Sequence, residues 1–522
     1  MQTKKVIMFC AAVIILALIK YSTIHARCSL VTNSPYASSP AYPSDALDHI
    51  GENPTEVPAG NVSGTWTLVN SPYHINGEII VPNDSTLTIE PGVNVVFTGH
   101  YKLNVQGRLL AIGTIQDTIT FTAQDTSVGW HGIRFRDTSN TNDSSKIIYC
   151  SLKYGKANTG DDYDRCGGAL FVKGFNKLYL SNCLFSCNMN SGNLAVHGGG
   201  AIGILSCSPI IENNIITCNR AVGNHGGGIC IAWSSNPVIR NNLICKNHAA
   251  GGGGLLLYQS NPVFTNNTIV YNYADLPGSQ VCHGGAACII DCSPQFFNTI
   301  IFGNTAIVGN QVNLQGSSQP DFHFCDIESG KKSFARNFVN EGSYSGVYEF
   351  NIESDPLFLD TSSDDYRLTE NSPCISNGTD SIEVNGTWHY ASIFDMNGNP
   401  RPNPANTTPD IGAIENSTGY YNPPAGIFEV PKSDANAVKL FQNYPNPFTT
   451  FTEIPFSLPI NSLVKLQVLD CHGRAVEMLF NKDLQPGEYR LSFDATGFPG
   501  GLYFIQLRTG NGIQTVKCVI IR

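Results

Sequence analysis

The chain is poor in charge. Only 14% of its 522 residues are Asp, Glu, Lys or Arg, and Met (5) and Trp (4) are scarce as well. Surface helices need charged faces to meet water, so this scarcity argues against a mainly helical fold. Base is scarcer than acid, 31 residues against 41, for a net charge of −10. Such a chain repels phosphate groups, which disfavours a nucleic-acid or anionic-membrane partner. No apolar run reaches the roughly 18 residues of a spanning helix; the longest, Val6 to Ile19, has 14. It follows Lys4 and Lys5 and runs into a polar stretch ending at Ala26, the pattern of an export signal over residues 1–26. Cleavage there removes Lys4, Lys5 and Lys20 and no acid, and leaves no permanent membrane span.

Catalytic signatures are missing too. The stretch "NHGGGI", Asn224 to Ile229, looks like the oxyanion loop of lipase-type hydrolases, but the chain has no Gly-x-Ser-x-Gly elbow for it to serve. "GGGAIG", Gly198 to Gly203, spells a dinucleotide-binding fingerprint, yet a short strand and Pro209 follow where a phosphate-binding helix would have to start. Between Gly167 and Gly316 the only acids are Glu212, Asp275 and Asp291. Polysaccharide lyases and glycosidases need clustered carboxylates, so a catalytic face is hard to assemble on this stretch.

What the chain has is glycine, 50 residues of it, and asparagine in register. Glycine clusters at Gly167, Gly198, Gly226, Gly252 and Gly284 open five units. Each unit carries an Asn pair six residues apart: 182/188, 213/219, 241/247, 266/272 and 298/304. Two residues before the first Asn stand Leu180, Ile211, Ile239, Phe264 and Phe296; three after it stand Phe185, Ile216, Ile244, Ile269 and Ile301. These segments are four to six residues long and bounded by Pro, Gly and Asn, which suits short strands and not helices. Short strands joined by corners, once around per unit, make a parallel β-helix coil. Stacking such coils about 4.8 Å apart piles the apolar columns into one core and lets Asn amides hydrogen-bond from coil to coil.

The arrangement resembles the right-handed parallel β-helix proteins, a fold shared by pectate lyases and many bacterial surface proteins. "DPLFLDTSSDDYRLTENSPCISNG" and "DMNGNPRPNPANTTPDIGAIE" resemble the segment that ends many secreted β-helices. After a loose linker, "LFQNYPNPFTTFTEIPFSLP", "LQPGEYRLSFDATGFPGGLYFIQLRTG" and "VKCVIIR" look like the type A sorting domain of type IX secretion, with Asn443, Pro445, Asn446, Pro447, Gly473, Arg474, Gly501, Tyr503 and Lys517 in the family's order. The resemblance implies passage across an outer membrane with the type IX secretion machinery as partner. The expected fold is all-β: signal 1–26, an irregular segment 27–60, a right-handed parallel β-helix 61–330, its closing segment 331–420, a linker 421–437 and a small β-sandwich 438–522.

Candidate ligand contacts are few. "TGDDYDRC" places Asp161, Asp162, Asp164 and Arg165 in an insertion before the first strong unit, where they could bind calcium or a sugar; a solvated charged loop is the plainer reading. "DMNGNP", Asp395 to Pro400, has calcium-loop flavour without the downstream Glu, which favours a turn. His197, His225 and His283 fall in one corner column, and His197 with His225 would lie close in stacked coils. Trp233 and Tyr258 share a column with Leu205 and Ile290, which favours core over sugar stacking. Most of the 17 cysteines are expected as small buried apolar residues, with one or two bridges. The reading is an exported protein of a Gram-negative bacterium, reaching the surface or medium through the periplasm, non-catalytic, without a required cofactor, and either glycan-binding or surface-structural; the alternative is a polysaccharide lyase or glycosidase built outside the regular coils.

Overall fold

The computed structural model describes residues 53–521 apart from 193–197, 276–282, 418–437 and short breaks at 224, 341, 385, 406, 444–445, 447, 449–450, 471–472, 496 and 511. The expected signal segment 1–26, residues 27–52, the expected linker 421–437, His197, Pro445 and Pro447 lie outside the described residues.

The chain divides into two compact units. In the first, each turn of the chain adds one strand to each of three parallel sheets. The first sheet has 11 strands, from Thr55–Val57 to Asp326–Ile327; the second has 11 parallel strands, from Gly60–Asn61 to Phe334–Arg336, and a twelfth, Val339–Asn340, that folds back antiparallel on the last; the third has 11, from Gly64–Trp66 to Tyr348–Glu349. A fourth ribbon of six two-residue strands, Lys156–Ala157 to Thr305–Ala306, lies between the first sheet and the second in each coil it joins. The solenoid is longer than the expected 61–330. Thr55–Val57 already pairs with Tyr73–Ile75, and Asp326 still bridges Ile352. The glycine clusters are absent from these outer coils, so the repeat alone could not find their ends.

The apolar columns stand as their spacing required. Leu180, Ile211, Ile239, Phe264 and Phe296 lie directly opposite one another in successive coils, as do Phe185, Ile216, Ile244, Ile269 and Ile301. All ten are at most 1% exposed. Phe264, Phe296 and Phe322 stack with ring centroids 4.6 and 4.9 Å apart.

The two asparagines of each pair do different work. The first, at 182, 213, 241, 266 and 298, takes a left-handed φ of 47–57° and makes the corner, a conformation its short polar side chain tolerates. The second turns inward. Asn188, Asn219, Asn247, Asn272 and Asn304 form a buried ladder in which each Nδ2 donates to the next Oδ1 at 2.9–3.0 Å, and each Oδ1 also accepts the backbone N–H below it. Asn304 ends it by donating to Gln311 Oε1, whose Nε2 donates to Glu328. A second buried ladder, not expected, runs through Asn214, Asn242 and Asn267 to Thr299. A third, on the surface, starts at Asn176 and continues through the residues before the prolines, Ser208, Asn236, Asn261 and Ser293, the side chain of each accepting the N–H of the next. At the "HGGG" corner, Gly226 has φ 73° and a Cβ on Gly227 would lie 2.6 Å from the carbonyl oxygen of His248. The glycines are there because coils approach too closely for side chains.

The segment after the last coil does not simply stack on it. The solenoid is closed by residues 330–350, where Phe334, Tyr344 and Tyr348 surround Phe322. The following segment instead runs back along the flank of the coils. Lys246 pairs with Asp364, Asn241 Nδ2 donates to Phe394 O at 2.8 Å, Gly412 N to Asn298 O at 2.8 Å and Ala413 N to Thr268 Oγ1 at 3.0 Å. Its centre is Arg401, ion-paired with Glu415 at 3.2 Å, both side chains fully buried. The corner asparagines leave polar groups on this flank, and the returning chain meets them.

The second unit is an antiparallel sandwich. Lys439–Leu440, Phe451–Leu458 and Gly487–Asp494 form one sheet; Ala475–Leu484, Ser462–Asp470, Gly501–Thr509 and Gly512–Ile520 form the other. Ile454, Val464, Leu466, Ile505 and Leu507 fill its core.

Two outcomes test this account. Asn247→Ala removes an amide that donates to Ile216 O and Asn272 and accepts twice from Asn219, leaving buried partners unmet; chemical unfolding should show a loss of about 3 kcal/mol, against under ~1 kcal/mol for the exposed ladder variant Asn236→Ala. Asp326 is fully buried, accepts from Cys374 Sγ at 3.1 Å, and burial lifts its carboxyl from 3.8 to about 8. A raised carboxyl stabilises the fold fully below pH ~4, and that contribution is lost as pH climbs through 8. Between these limits stability should fall by up to ~1.4 kcal/mol per pH unit relative to Asp326→Asn, which lacks this slope; equal slopes in the two proteins would refute the assignment.

Candidate binding face and sorting domain

The outward side of the second sheet is not polar. Strand alternation sends Leu170 and Val172, or Ile229 and Ile231, into the main core, and sends Phe171 and Cys230 outward. Arg134, Phe171, Gly203, Cys230, Leu256 and Cys288 form that outward column. The side chains of this column are nonetheless buried, and its apolar members pack with Cys166, Leu205 and Ala232. A second apolar cluster results, rimmed by half-buried Tyr163, Trp233, Tyr258 and Ile290.

Trp233 does not share the column of Tyr258. The residue opposite Tyr258 is Ala232, and Trp233 follows it at φ 58°, with Ser234 also left-handed. Two successive left-handed residues insert a kink that repeat counting cannot see. The kink sets the Trp233 ring edge-on to Tyr163, with centroids 6.2 Å apart. Tyr163 lies under Lys173 Nζ at 4.0 Å and beside Arg136 at 5.4 Å.

The acidic insertion converges, but on the protein's own bases. Asp161 accepts from Arg136 Nη2 at 2.7 Å, and Asp164 is paired with Lys102 at 3.2 Å and Arg136 at 3.5 Å. Burial raises the Asp161 carboxyl, but the N–H of Asp164 and the Arg136 guanidinium outweigh it and hold the group below its ordinary value. Asp162 joins none of these pairs, and Arg165 folds back to donate to Gly160 O at 3.2 Å. The sequence did not reveal Lys102 and Arg136 as partners because they come from other coils. The one signal was "GIRFRD", whose alternation with Ile133 and Phe135 places Arg134 and Arg136 on the outer side. His131 Nε2 meets Asp164 O at 2.8 Å; burial, then the Arg134 charge, pull this imidazole down to about 3, so it is neutral at physiological pH. Asp395, in the loop with calcium flavour, accepts from Asn397 N, Asn399 N, Asn399 Nδ2 and Glu415 N, which builds a turn.

The corner histidines form a stack through glycine. His225 bridges Gly251, and Gly251 bridges His283. The two rings are 5.1 Å apart and tilted by 57°.

In the sandwich, the Asn residues of the C-terminal motif lock its last strand. Asn443 Nδ2 donates to Thr452 Oγ1 at 2.9 Å; Asn446 Nδ2 donates to Lys517 O at 2.8 Å and its Oδ1 accepts from Val519 N at 2.7 Å. Gly473 has φ 78° in a turn where Arg474 pairs with Asp470 at 2.7 Å, and Tyr503, packed in the core, donates to Pro499 O at 3.0 Å. The Lys517 side chain is exposed, and its carbonyl is the group the motif uses.

Two family models match the chain: residues 131–327 match the right handed beta helix region, and residues 442–522 the secretion system C-terminal sorting domain. The chain is a right-handed β-helix protein with a secretion sorting domain. The sorting domain marks the protein for handling by type IX secretion and for delivery outside the cell or to its surface, in bacteria. Among the described residues no helix is long and apolar enough to cross a membrane. No curated protein matches the chain. A solved structure, the enzymatically active domain of tailspike protein 4 from bacteriophage CBA120, is 13% identical over 89% of this chain and 64% of its own, with a TM-score of 0.28. The β-helix protein thus spans less than two thirds of that domain, and the likeness is too slight to bear on function.

Because Asp164 holds two bases and Asp162 none, the two substitutions should part company. Asp164→Ala should destabilise by about 1–2 kcal/mol and open residues 158–166 to limited proteolysis, while Asp162→Ala should stay within ~0.5 kcal/mol of the parent and resist cleavage as the parent does.

Proposed function

We propose that the protein is a non-catalytic glycan-binding β-helix, and that the flank of its second sheet is the binding face. The observation that carries this reading is the row of half-buried Tyr163, Trp233 and Tyr258 beside Arg136 and Lys173. Aromatic rings with one side packed and one side wet are suited to the apolar faces of sugar rings, and rigid packing keeps the ordering cost of binding low. The bases supply hydrogen-bond partners for hydroxyls or uronate groups. The three rings come from different coils and so lie along the solenoid, which matches an extended polymer better than a small molecule. The route is export by the N-terminal signal, transit of a Gram-negative periplasm and outer-membrane passage led by the sorting domain.

A second reading, polysaccharide cleavage, is favoured by the meeting of Asp161 and Asp164 with Arg136 and Lys102. It is the weaker one. A glycosidase needs one carboxyl that keeps its proton near neutral pH, and Asp161 is shifted the other way. Screening the secreted protein against a polysaccharide panel, for binding and for new chain ends together, separates the two. Binding without cleavage is expected, with Trp233→Ala and Tyr258→Ala each weakening it about tenfold, or ~1.4 kcal/mol. Cleavage abolished by the triple change Asp161→Ala, Asp162→Ala, Asp164→Ala would replace this reading with the enzymatic one. Absence of any binding would refute it.

A further inference from the structure

Among the described residues, one group of side chains outside the aromatic row brings together the donors of a transition-metal site. His225, His283 and Cys288 each offer one ligand atom, and the three atoms lie within 4.8 Å of one another. The ligands come from two coils: His225 and His283 are corner residues either side of Gly251, and Cys288, five residues after His283, stands on the second-sheet strand Ala287–Ile290. We propose that these three residues bind a thiophilic divalent ion of the zinc type, with Gln315 beside the fourth position.

Several independent features point the same way. The rings meet because residue 251 is glycine: a Cβ there would lie 2.7 Å from His283 Nε2 and 2.8 Å from His225 Nε2. The ring nitrogens therefore face a space that every other residue would fill. Gln315 Nε2 is 3.1 Å from His283 Nε2 and 3.5 Å from Cys288 Sγ, so a polar amide closes the side opposite His225. Amide oxygen and nitrogen exchange by a flip, which makes this group a ligand or the anchor for a bound water. Phe338 stands edge-on to His283 at 4.8 Å, and His283 and Cys288 are almost fully buried, so the donors are screened from bulk water. Tetrahedral zinc, with bonds of about 2.0 Å to nitrogen and 2.3 Å to sulfur, holds ligand atoms roughly 3.3–3.8 Å apart. Side-chain rotation of less than an ångström or so per atom closes the present spacing to that value. Two imidazoles and a thiol select a borderline or soft ion over calcium or magnesium, which take oxygen. The thiol loses its proton to water as the metal–sulfur bond forms.

The bland alternative is a buried thiol beside stacked corner rings, and it makes a different prediction. Cys230 occupies the same outward column two coils away and is equally buried. The test uses the full exported chain, reduced, with zinc alone as probe in competition with a chromogenic chelator. One equivalent is expected to bind, and to raise the melting temperature. Cys288→Ala and His225→Gln should each weaken it at least tenfold, while Cys230→Ala leaves it unchanged. Cobalt in place of zinc should show a thiolate charge-transfer band that Cys288→Ala removes and Cys230→Ala keeps. No stoichiometric binding by the parent, or equal affinity in Cys288→Ala variants confirmed as folded by circular dichroism, overturns the proposal.

Discussion

A corner of backbone buried between coils carries N–H and C=O groups that no strand can satisfy, and in the repeat coils the solution is a carboxamide. Asn219 shows how complete it is. Its Nδ2 donates to Phe185 O and to Asn247 Oδ1, while its Oδ1 accepts from the N–H and the Nδ2 of Asn188. No other side chain of that size has both roles at that reach. The ladder therefore fixes the corner's identity and its height, and with them the register of the strand on each side. Six residues separate the two asparagines of each pair because a three-residue strand between two corners has no slack. Insertions collect where no amide has to meet its neighbour, between the fourth ribbon and the second sheet.

That division explains what could be read in advance. Columns fixed by the ladder were legible: the ten apolar positions, the asparagine contacts and the parallel stacking follow from letters recurring at fixed spacing. Positions governed by a contact outside the period were not. Trp233 slipped by one residue through a left-handed kink; Lys102 and Arg136 carry no repeat mark; and the segment after the last coil turned out to run along a flank because the corner residues Asn241 and Asn298 and the strand residue Thr268 hold it there. Of the candidate site, sequence supplied Asp161, Asp164 and the histidine corner but not their partners. Cys288 was passed over because its column mixes Phe, Gly, Cys and Leu, and so looks apolar.

The outer face of the second sheet is where the solenoid departs most from economy. A regular coil needs only a wet exterior there, yet this one buries its outward column and so creates a second interior. Covering a sheet face costs chain entropy, which burial of Phe171, Leu205 and Leu256 offsets. It also creates a rim, where aromatics are packed on one side only and bases are held over them.

The cysteines follow from the same ladder. An exported chain with this many thiols invites a disulfide framework, but the second ladder accounts for three of them in another way. Opposite Asn214, Asn242, Asn267 and Thr299, the neighbouring coils carry Cys150, Cys183 and Cys325. Cys183 Sγ donates to Ile147 O at 3.4 Å and Cys325 Sγ to Phe296 O at 3.4 Å, as Asn242 Nδ2 donates to Ile211 O and Asn267 Nδ2 to Ile239 O. A thiol is a weak donor of the right length, and its small apolar body suits the coils where the amide run ends. Burial pushes the Cys325 thiol up to about 12, which removes the thiolate that disulfide exchange requires. In this column cysteine is a short asparagine, retained for a hydrogen bond and protected from oxidation by the stacking it helps to complete.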